Sequence, residues 1–311
     1  MDQIAGNIAL LLEFPIVNLG IIIEGVMIGA LFALSAYGLA LVWGVMNVKN
    51  LAQGDFVIAG GYVSWYLNRA LGLQDVFGPL GPLLGVPIAF VVMWGLGWVT
   101  YKLVISRVIE RDLFTSLLAT FGLAIMYAQI MNLLFGSDTQ SLDLGLSTLY
   151  FADGIINVPI AKLIGVLLAA ALAVAVVLFM KRSRMGQAIR ATAQDARAAR
   201  VLGIDTEKVY AFTFSLNAAI CGAAGAIIVM VWVIQPFYGI TYSVRAFVIV
   251  TAAGLGNLPG VIAAGLGIGV AEQYGGHIFG IGYQQAIAVV LLLLVLIYRL
   301  AQQQRQRQVL A

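Results

Sequence analysis

Long apolar runs recur along almost the whole chain, divided by short polar or glycine-rich stretches. A helix needs about 20 mostly apolar residues to cross a bilayer. On that scale the pattern predicts segments at 17–43, 55–69, 83–105, 113–135, 159–180, 209–235, 244–256, 259–275 and 283–299. An odd number of crossings places the two termini on opposite sides. Segments 55–69 and 244–256 are short for a crossing, so eight crossings with one re-entrant piece fit the pattern as well. Trp43, Trp65, Trp98, Tyr101, Trp232 and Tyr298 mark segment ends, as expected of rings seated at the headgroup level. The expected fold class is all-α, a polytopic transmembrane helical bundle with broken or re-entrant helices, in a single domain covering 1–311.

Glycine falls inside these segments as well as between them. Gly25 and Gly29, Gly222 and Ala226, Gly256 and Gly260, and Gly265 and Gly269 each repeat at four residues. That spacing puts small residues on one helix face and lets two backbones approach where lipid supplies no hydrophobic drive. Two polar interruptions break the apolar pattern: Asn47, Lys49, Asn50, Gln53 and Asp55 precede Phe56, and Gly254, Gly256, Asn257 and Pro259 precede Val261. Non-helical backbone at membrane depth survives only when buried in protein or facing water, because each unsatisfied peptide group costs on the order of several kcal/mol in lipid. Paired breaks in two halves of a membrane protein point to a transport pathway. An ordinary cytoplasmic turn, with Asn47, Asn50, Gln53 and Asp55 as helix caps, is the alternative. On the pathway reading Asn47, Asn50, Gln53, Asp55, Tyr62, Gly254, Gly256 and Asn257 line or gate it. Asn217, alone in the middle of a segment, either joins them or makes an interhelical hydrogen bond.

Composition supports the membrane reading, since 62% hydrophobic and 10% charged residues lie outside the range of soluble domains. The distribution of charge sets the orientation. Met1 to Val48 holds Asp2, Glu13 and Glu24 and no Lys or Arg, and Gly136 to Pro159 holds Asp138, Asp143 and Asp153 and no basic residue. Lys102, Arg107 and Arg111 cluster after one segment, six basic residues fall between Lys181 and Arg200, and Arg299, Arg305 and Arg307 close the chain. Positive residues stay inside, so the amino terminus is expected outside and the carboxyl terminus in the cytoplasm. Met1-Asp-Gln-Ile4 offers no positive region for a cleavable signal peptide. One His and one Cys make no zinc site, and no paired acids sit within a segment, which argues against a membrane enzyme. Cys221 reads as a small buried packing residue and His277 as a solvated residue of a glycine-rich outer turn.

The basic stretch from Gly186 to Gly203 predicts one short amphipathic helix. Alanine favours the helix, Ile189, Ala193, Ala196 and Ala199 line one side, Arg190, Gln194 and Arg197 line another, Asp195 lies within, and Gly203 stops it. Such a helix either rests on anionic headgroups or docks its smooth alanine face into a groove of another protein, with arginines fixing the register.

Met185-Gly-Gln-Ala-Ile-Arg-Ala-Thr-Ala-Gln-Asp195, followed by Ala199 and Leu202-Gly-Ile-Asp-Thr206, resembles the coupling segment of permease subunits of branched-chain amino-acid-type ABC importers. Asn47-Val-Lys-Asn-Leu-Ala-Gln-Gly-Asp-Phe56 with Gly60-Gly-Tyr62 resembles that family's first-break motif, and Ala253-Gly-Leu-Gly-Asn-Leu-Pro-Gly260 its late glycine-proline motif. The three motifs lie in the family's order, and the likeness covers nearly the whole chain. Gln53 stands where family members often have histidine and Asp55 where they often have glutamate. The resemblance implies an inner-membrane subunit that binds no cofactor itself. It works with two ATP-binding subunits carrying ATP and magnesium, a second homologous permease subunit, an extracytoplasmic solute-binding protein and membrane lipid, and with no nucleic acid. It also implies that residues of about 181–208, with Gly186, Ile189, Arg190, Ala193, Asp195, Arg197, Ala199 and Gly203 foremost, couple to the ATPase subunits. The chain has no Gly-x-x-x-x-Gly-Lys-Ser/Thr phosphate loop of its own. Branched-chain or other neutral amino acids are the first solutes implied, with urea, amides or small carboxylates as alternatives. A secondary transporter or channel also accommodates broken helices, but leaves the alanine-arginine helix without a purpose.

Overall fold

The computed structural model describes residues 2–109, 111–152, 154–254 and 256–309. Asp153 and Leu255 lie outside the described residues, as do the side chains of Asp2, Arg299, Arg305 and Arg307. Helix α1 (Asp2–Glu13) leads into the long α2 (Pro15–Met46), which begins on a proline whose missing N–H is no loss at that position. After a break come α3 (Gln53–Leu71), the short α4 (Leu73–Phe77), and α5 (Gly85–Thr100), which continues through a π turn at Tyr101–Ile105 into α6 (Ser106–Val108). Then follow α7 (Leu113–Phe135), strands β1 (Thr148–Phe151) and β2 (Ile156–Pro159), and α8 (Ile160–Arg182). The second half holds α9 (Arg184–Gln194), α10 (Ala196–Val201), α11 (Thr206–Ile228), α12 (Gly239–Ala253), α13 (Leu258–Phe279) and α14 (Gln284–Val309).

Every segment read from the sequence is helical over most of its length. Among the described residues six stretches are long and apolar enough to span a membrane: Pro15–Met46, Leu73–Val108, Phe114–Phe135, Ile160–Arg182, Thr206–Ile228 and Ile281–Tyr298. The remaining three segments are α3, α12 and α13, and α12 has only 15 residues. The interior is apolar and so is much of the outer face. α11 is buried along nearly its whole length between α2, α3 and α5. In contrast, α5, α7, α8 and α14 turn Val91, Leu133, Leu167 and Leu294 outward.

The glycine repeats explain how the bundle closes. Gly25 and Gly29 of α2 face Gly265 and Gly269 of α13, so two of the four-residue repeats interlock. A Cβ on Gly29 would strike the Gly265 carbonyl, and one on Gly269 would strike Gly25 and Gly29. Across the bundle Gly60 of α3 lies against the backbone of Gly222 in α11. These are the close approaches that small residues permit between helices in lipid.

One expectation is corrected here and one small element is added. Segment 209–235 is not one helix, since α11 ends at Ile228 and the chain then runs unwound to Pro236, which has no N–H with which to continue a helical ladder. The loop after α7 replaces the lost bonds: Gln140 and Ile234 exchange N–H to carbonyl bonds of 2.9 and 2.8 Å, and the Leu142 N–H donates to the Val229 carbonyl at 2.8 Å. The same loop carries the second finding, an antiparallel hairpin that pairs Thr148 with Pro159 and Phe151 with Ile156.

Gly269→Leu is expected to separate α2 from α13, while Gly122→Leu, with open space at its Cβ, leaves the bundle intact. Overpacking of a tight contact costs about 1–3 kcal/mol. Thermal unfolding in detergent, followed by size-exclusion chromatography, should show a lowered midpoint for the first variant alone.

Candidate functional site

The break after α2 is built so that its peptide groups find partners. Asn47 ends α2 in the left-handed conformation, φ +53°, and its N–H donates to the Trp43 carbonyl at 3.1 Å. Asparagine tolerates that conformation better than most residues. Beyond it, Thr120 Oγ1 of α7 donates to the Lys49 carbonyl at 3.1 Å, and Asn50 Oδ1 accepts from the Ala52 N–H at 3.1 Å. Ser243 of α12 serves two groups: its Oγ donates to the Leu51 carbonyl and accepts from the Gly54 N–H, both at 2.8 Å.

Gln53, fully buried at the start of α3, ties this break to the middle of the bundle. Its Nε2 lies 2.8 Å from the Ser35 carbonyl of α2, 3.0 Å from Asn217 Oδ1 and 2.9 Å from Cys221 Sγ of α11. Asn50 Nδ2 is 3.5 Å from Gln53 Oε1. Asn217 therefore joins the break residues in an interhelical hydrogen bond. Cys221 is buried as expected, and it also accepts. Asp55 is buried in the first turn of α3, where the helix N-terminus favours a carboxylate, and a Cβ on Gly239 of α12 would fall on that carboxylate. Tyr62 stands two turns further along, stacked on Phe135 with centroids 4.7 Å apart, its hydroxyl without a partner among the described residues.

Asn50, Gln53 and Asp55 are thus brought together, while Asn47 is exposed at the edge of the break. The second interruption is not part of this node. Gly254 ends α12, Gly256 (φ +79°) faces the end of α2 near Gly44, and Asn257 caps α13, its Oδ1 accepting from the Gly260 N–H at 3.0 Å. The segment that unwinds across the bundle from the first break is 229–238, which the hydropathy of Val229 to Ile234 conceals. Ser35, Thr120 and Ser243 were not singled out by sequence reading; their only signal is a hydroxyl within an apolar run. His277 lies in the last turn of α13, half-buried, rather than in a solvated turn.

At the other end, the predicted helix 186–203 is two helices. Asp195 adopts an extended conformation, φ −153°, and its Oδ1 accepts from the N–H groups of Arg197 and Ala198 at 2.8 and 3.0 Å, so it caps α10 instead of continuing α9. Ser183 caps α9 through the Gly186 N–H at 2.8 Å. Gly186, Ile189, Thr192 and Ala199 are buried against the bundle. Arg190, Ala193 and Arg197 face outward, so Ala193 is on the opposite side from the one expected. Val201 and Leu202 are 87% and 80% exposed before Gly203 turns the chain at φ +85°. Asp205 then caps α11. Arg200 bridges the turn, its Nε donating to Thr206 Oγ1 at 2.7 Å.

A bundle with buried helix breaks and a docked, half-exposed basic helix pair defines a polytopic membrane transport subunit. The chain belongs to the branched-chain amino acid transport system permease component family, whose model matches residues 21–298. It is 28% identical to the high-affinity branched-chain amino acid transport system permease protein LivH of Escherichia coli strain K12, over 86% of this chain and 89% of that protein. It is 28% identical to BraD, the corresponding permease protein of Pseudomonas aeruginosa, over 89% and 92%. It is 30% identical to a probable LivH of Methanocaldococcus jannaschii, over 84% of each. No solved structure matches the chain.

Gln53→Leu removes the donor that ties Ser35 and Asn217 to α3 and sets an apolar side chain against their oxygens, a loss of about 1–3 kcal/mol. Gln53→His retains an N–H donor. Detergent melting curves should rank wild type and Gln53→His together above Gln53→Leu. The backbone N–H groups of Ala198 and Arg197 hold the Asp195 carboxyl below the usual carboxylate range. A lowered folded value means that the cap is complete above the ordinary carboxylate pKa of about 4 and is lost as pH falls through the lowered one. Protection of the Arg197 and Ala198 amides against hydrogen exchange, relative to their intrinsic rates at each pH, should therefore be lost at neutral pH in Asp195→Ala, and in the wild type only in acid.

Proposed function

We propose that this chain is one half of the translocation pore of an ATP-driven, binding-protein-dependent importer in a bacterial inner membrane, with branched-chain amino acids as its first solutes. The observation that carries the reading is the α9–α10 pair, whose Ile189 and Ala199 are anchored in the bundle while Arg190, Arg197, Val201 and Leu202 stand exposed beside it. An isolated carrier has no use for such a surface; a subunit that receives a push from a partner needs one. The relatives named above as branched-chain amino acid transport permeases support the choice of solute.

On this reading the amino terminus lies outside and the carboxyl terminus in the cytoplasm, following the positive-inside pattern of Lys181, Arg182, Arg184 and Arg190. Two ATP-binding subunits hold ATP and magnesium, a second homologous permease completes the pore, and a solute-binding protein docks on the outer loops. Closure of the ATPase subunits pushes α9–α10, which continues directly into α8 and α11, and α11 carries Asn217 and Cys221 of the buried node. Asn47, Asn50, Gln53, Asp55 and Tyr62 border the pathway that opens alternately to each side. Gly254, Gly256 and Asn257 line the cytoplasmic end of that pathway at the turn between α12 and α13.

Arg190→Glu with Arg197→Glu reverses the exposed charge without touching the buried face. Rim charges at an interface govern association, and the expected result is loss of co-purifying ATP-binding subunits and a drop of roughly tenfold or more in ATP-dependent uptake, equal to about 1.4 kcal/mol. Membrane insertion should be unchanged. Full uptake by the double variant, or a wild-type chain that purifies alone and moves solute down an ion gradient, overturns the importer reading.

A further inference from the structure

A cleft of about 370 Å³ opens between the unwound segment after α11, the start of α12, the middle of α2 and the first turn of α14. It is lined by Phe32, Trp232, Tyr242, Arg245 and Gln285, with Val233 at its rim. Arg245 and Glu272 form a buried ion pair at its floor, with side-chain exposures of 15% and 4%. Arg245 Nε lies 3.2 and 3.1 Å from the two carboxylate oxygens of Glu272. Its guanidinium also lies over the Phe32 ring, 4.6 Å from the centroid. Phe32 in turn stacks on Trp232 at 5.8 Å and meets Tyr242 at 5.6 Å.

Glu272 engages the guanidinium only through Nε, and among the described residues neither Nη group has an acceptor. Two parallel N–H donors at a cleft wall fit a carboxylate bidentately. The three rings beside them offer an apolar wall of the kind that holds an aliphatic side chain or, through the ring faces, an ammonium group. Charged groups within a membrane bundle almost always face the interior or a water-filled cavity, which favours water over lipid in this cleft.

We infer that this cleft is a subsite for the solute, in which the Nη edge of Arg245 takes the carboxylate of an amino acid and Phe32, Trp232 and Tyr242 hold its aliphatic side chain. The assignment rests on the proposed import of amino acids and adds to it the residues that touch them. Glu272 is a positioning residue: by occupying Nε it fixes the guanidinium plane so that the Nη edge faces the cleft.

Val233 is 47% exposed and the native thiol, Cys221, is buried, so Val233→Cys introduces a single reactive thiol at the rim. Membranes from cells expressing the complete importer with this variant are labelled with a thiol reagent in the presence of L-leucine or L-leucinamide, which lacks the carboxylate. The expected result is labelling slowed at least threefold by L-leucine and unchanged by L-leucinamide. Adding Arg245→Lys should raise the protecting L-leucine concentration about tenfold, while adding both Arg245→Gln and Glu272→Gln, which leaves no buried charge unpaired, should abolish protection. Equal protection by the amide overturns the carboxylate assignment. Absence of protection in membranes that still take up L-leucine overturns the subsite and leaves the importer reading standing. Absence of both uptake and protection overturns the solute choice on which the subsite rests.

Discussion

The unwound backbone between Met46 and Gln53 is the constraint around which the bundle is arranged. The peptide groups between Asn47 and Ala52 that lack helical partners are sustainable in an apolar interior only when neighbouring helices supply the missing bonds. Here α7 supplies Thr120 and α12 supplies Ser243, while α2 and α11 receive Gln53 through Ser35 and Asn217. Those helices must approach closely, which is why glycine is required at two of the contacts. A Cβ on Gly38 would fall on the Asn217 amide, and one on Gly54 on the Gly239 carbonyl. Hydrogen bonding and small-residue packing are therefore one device: neither the node nor the tight helix contacts could exist alone.

The same arrangement gives the α9–α10 pair a mechanical route to the interior. α10 turns at Gly203, Asp205 caps α11, and Asn217 follows 11 residues after Thr206, a distance of about 17 Å at 1.5 Å per residue. From Thr213 to Ile228 α11 is buried on every side, so this part has little freedom to bend and transmits displacement along its axis. Its far end gives way at once to the unwound stretch held by Gln140 and Leu142, where a shift of the helix can be absorbed. Rigid shaft, polar node and pliant end thus follow one another along a single element.

Most of the fold was legible because membrane helices advertise themselves by length and apolarity. The first break was legible too, since Asn47, Asn50, Gln53 and Asp55 are conspicuous in such company. The second was misplaced for a physical reason. Val229 to Ile234 is as apolar as a helix, and what unwinds it is Pro236 together with pairing to Gln140, some ninety residues away in the chain and invisible to local pattern. Gly254 to Asn257 showed the opposite: a strong turn signal at a place where an ordinary capped turn suffices. Asp195 was read as a tolerated acid within a helix because its capping role depends on an extended backbone that composition does not encode. The partners of the break were missed because a serine in an apolar helix is usually spent on its own carbonyls, whereas Ser243 faces across to α3.

Two kinds of polar contact divide the interior, and their energies assign them different parts in any movement. The Gln53 node consists of amides, a thiol and backbone carbonyls, and a neutral hydrogen bond contributes only about 0.5–1.5 kcal/mol net. Such bonds can be exchanged as helices slide, since no charge is stranded when one of them opens. Arg245 and Glu272 are different, because parting a buried ion pair costs on the order of 3–5 kcal/mol. The helices that carry them, α12 and α13, are accordingly joined as a unit, by this pair at one level and by the capped turn at Asn257 at the other. α13 is in turn locked to α2 through Gly265 and Gly269, so the three helices form one body. The interface able to yield is the one closed by neutral bonds, where α3 and α11 meet α2 around Gln53.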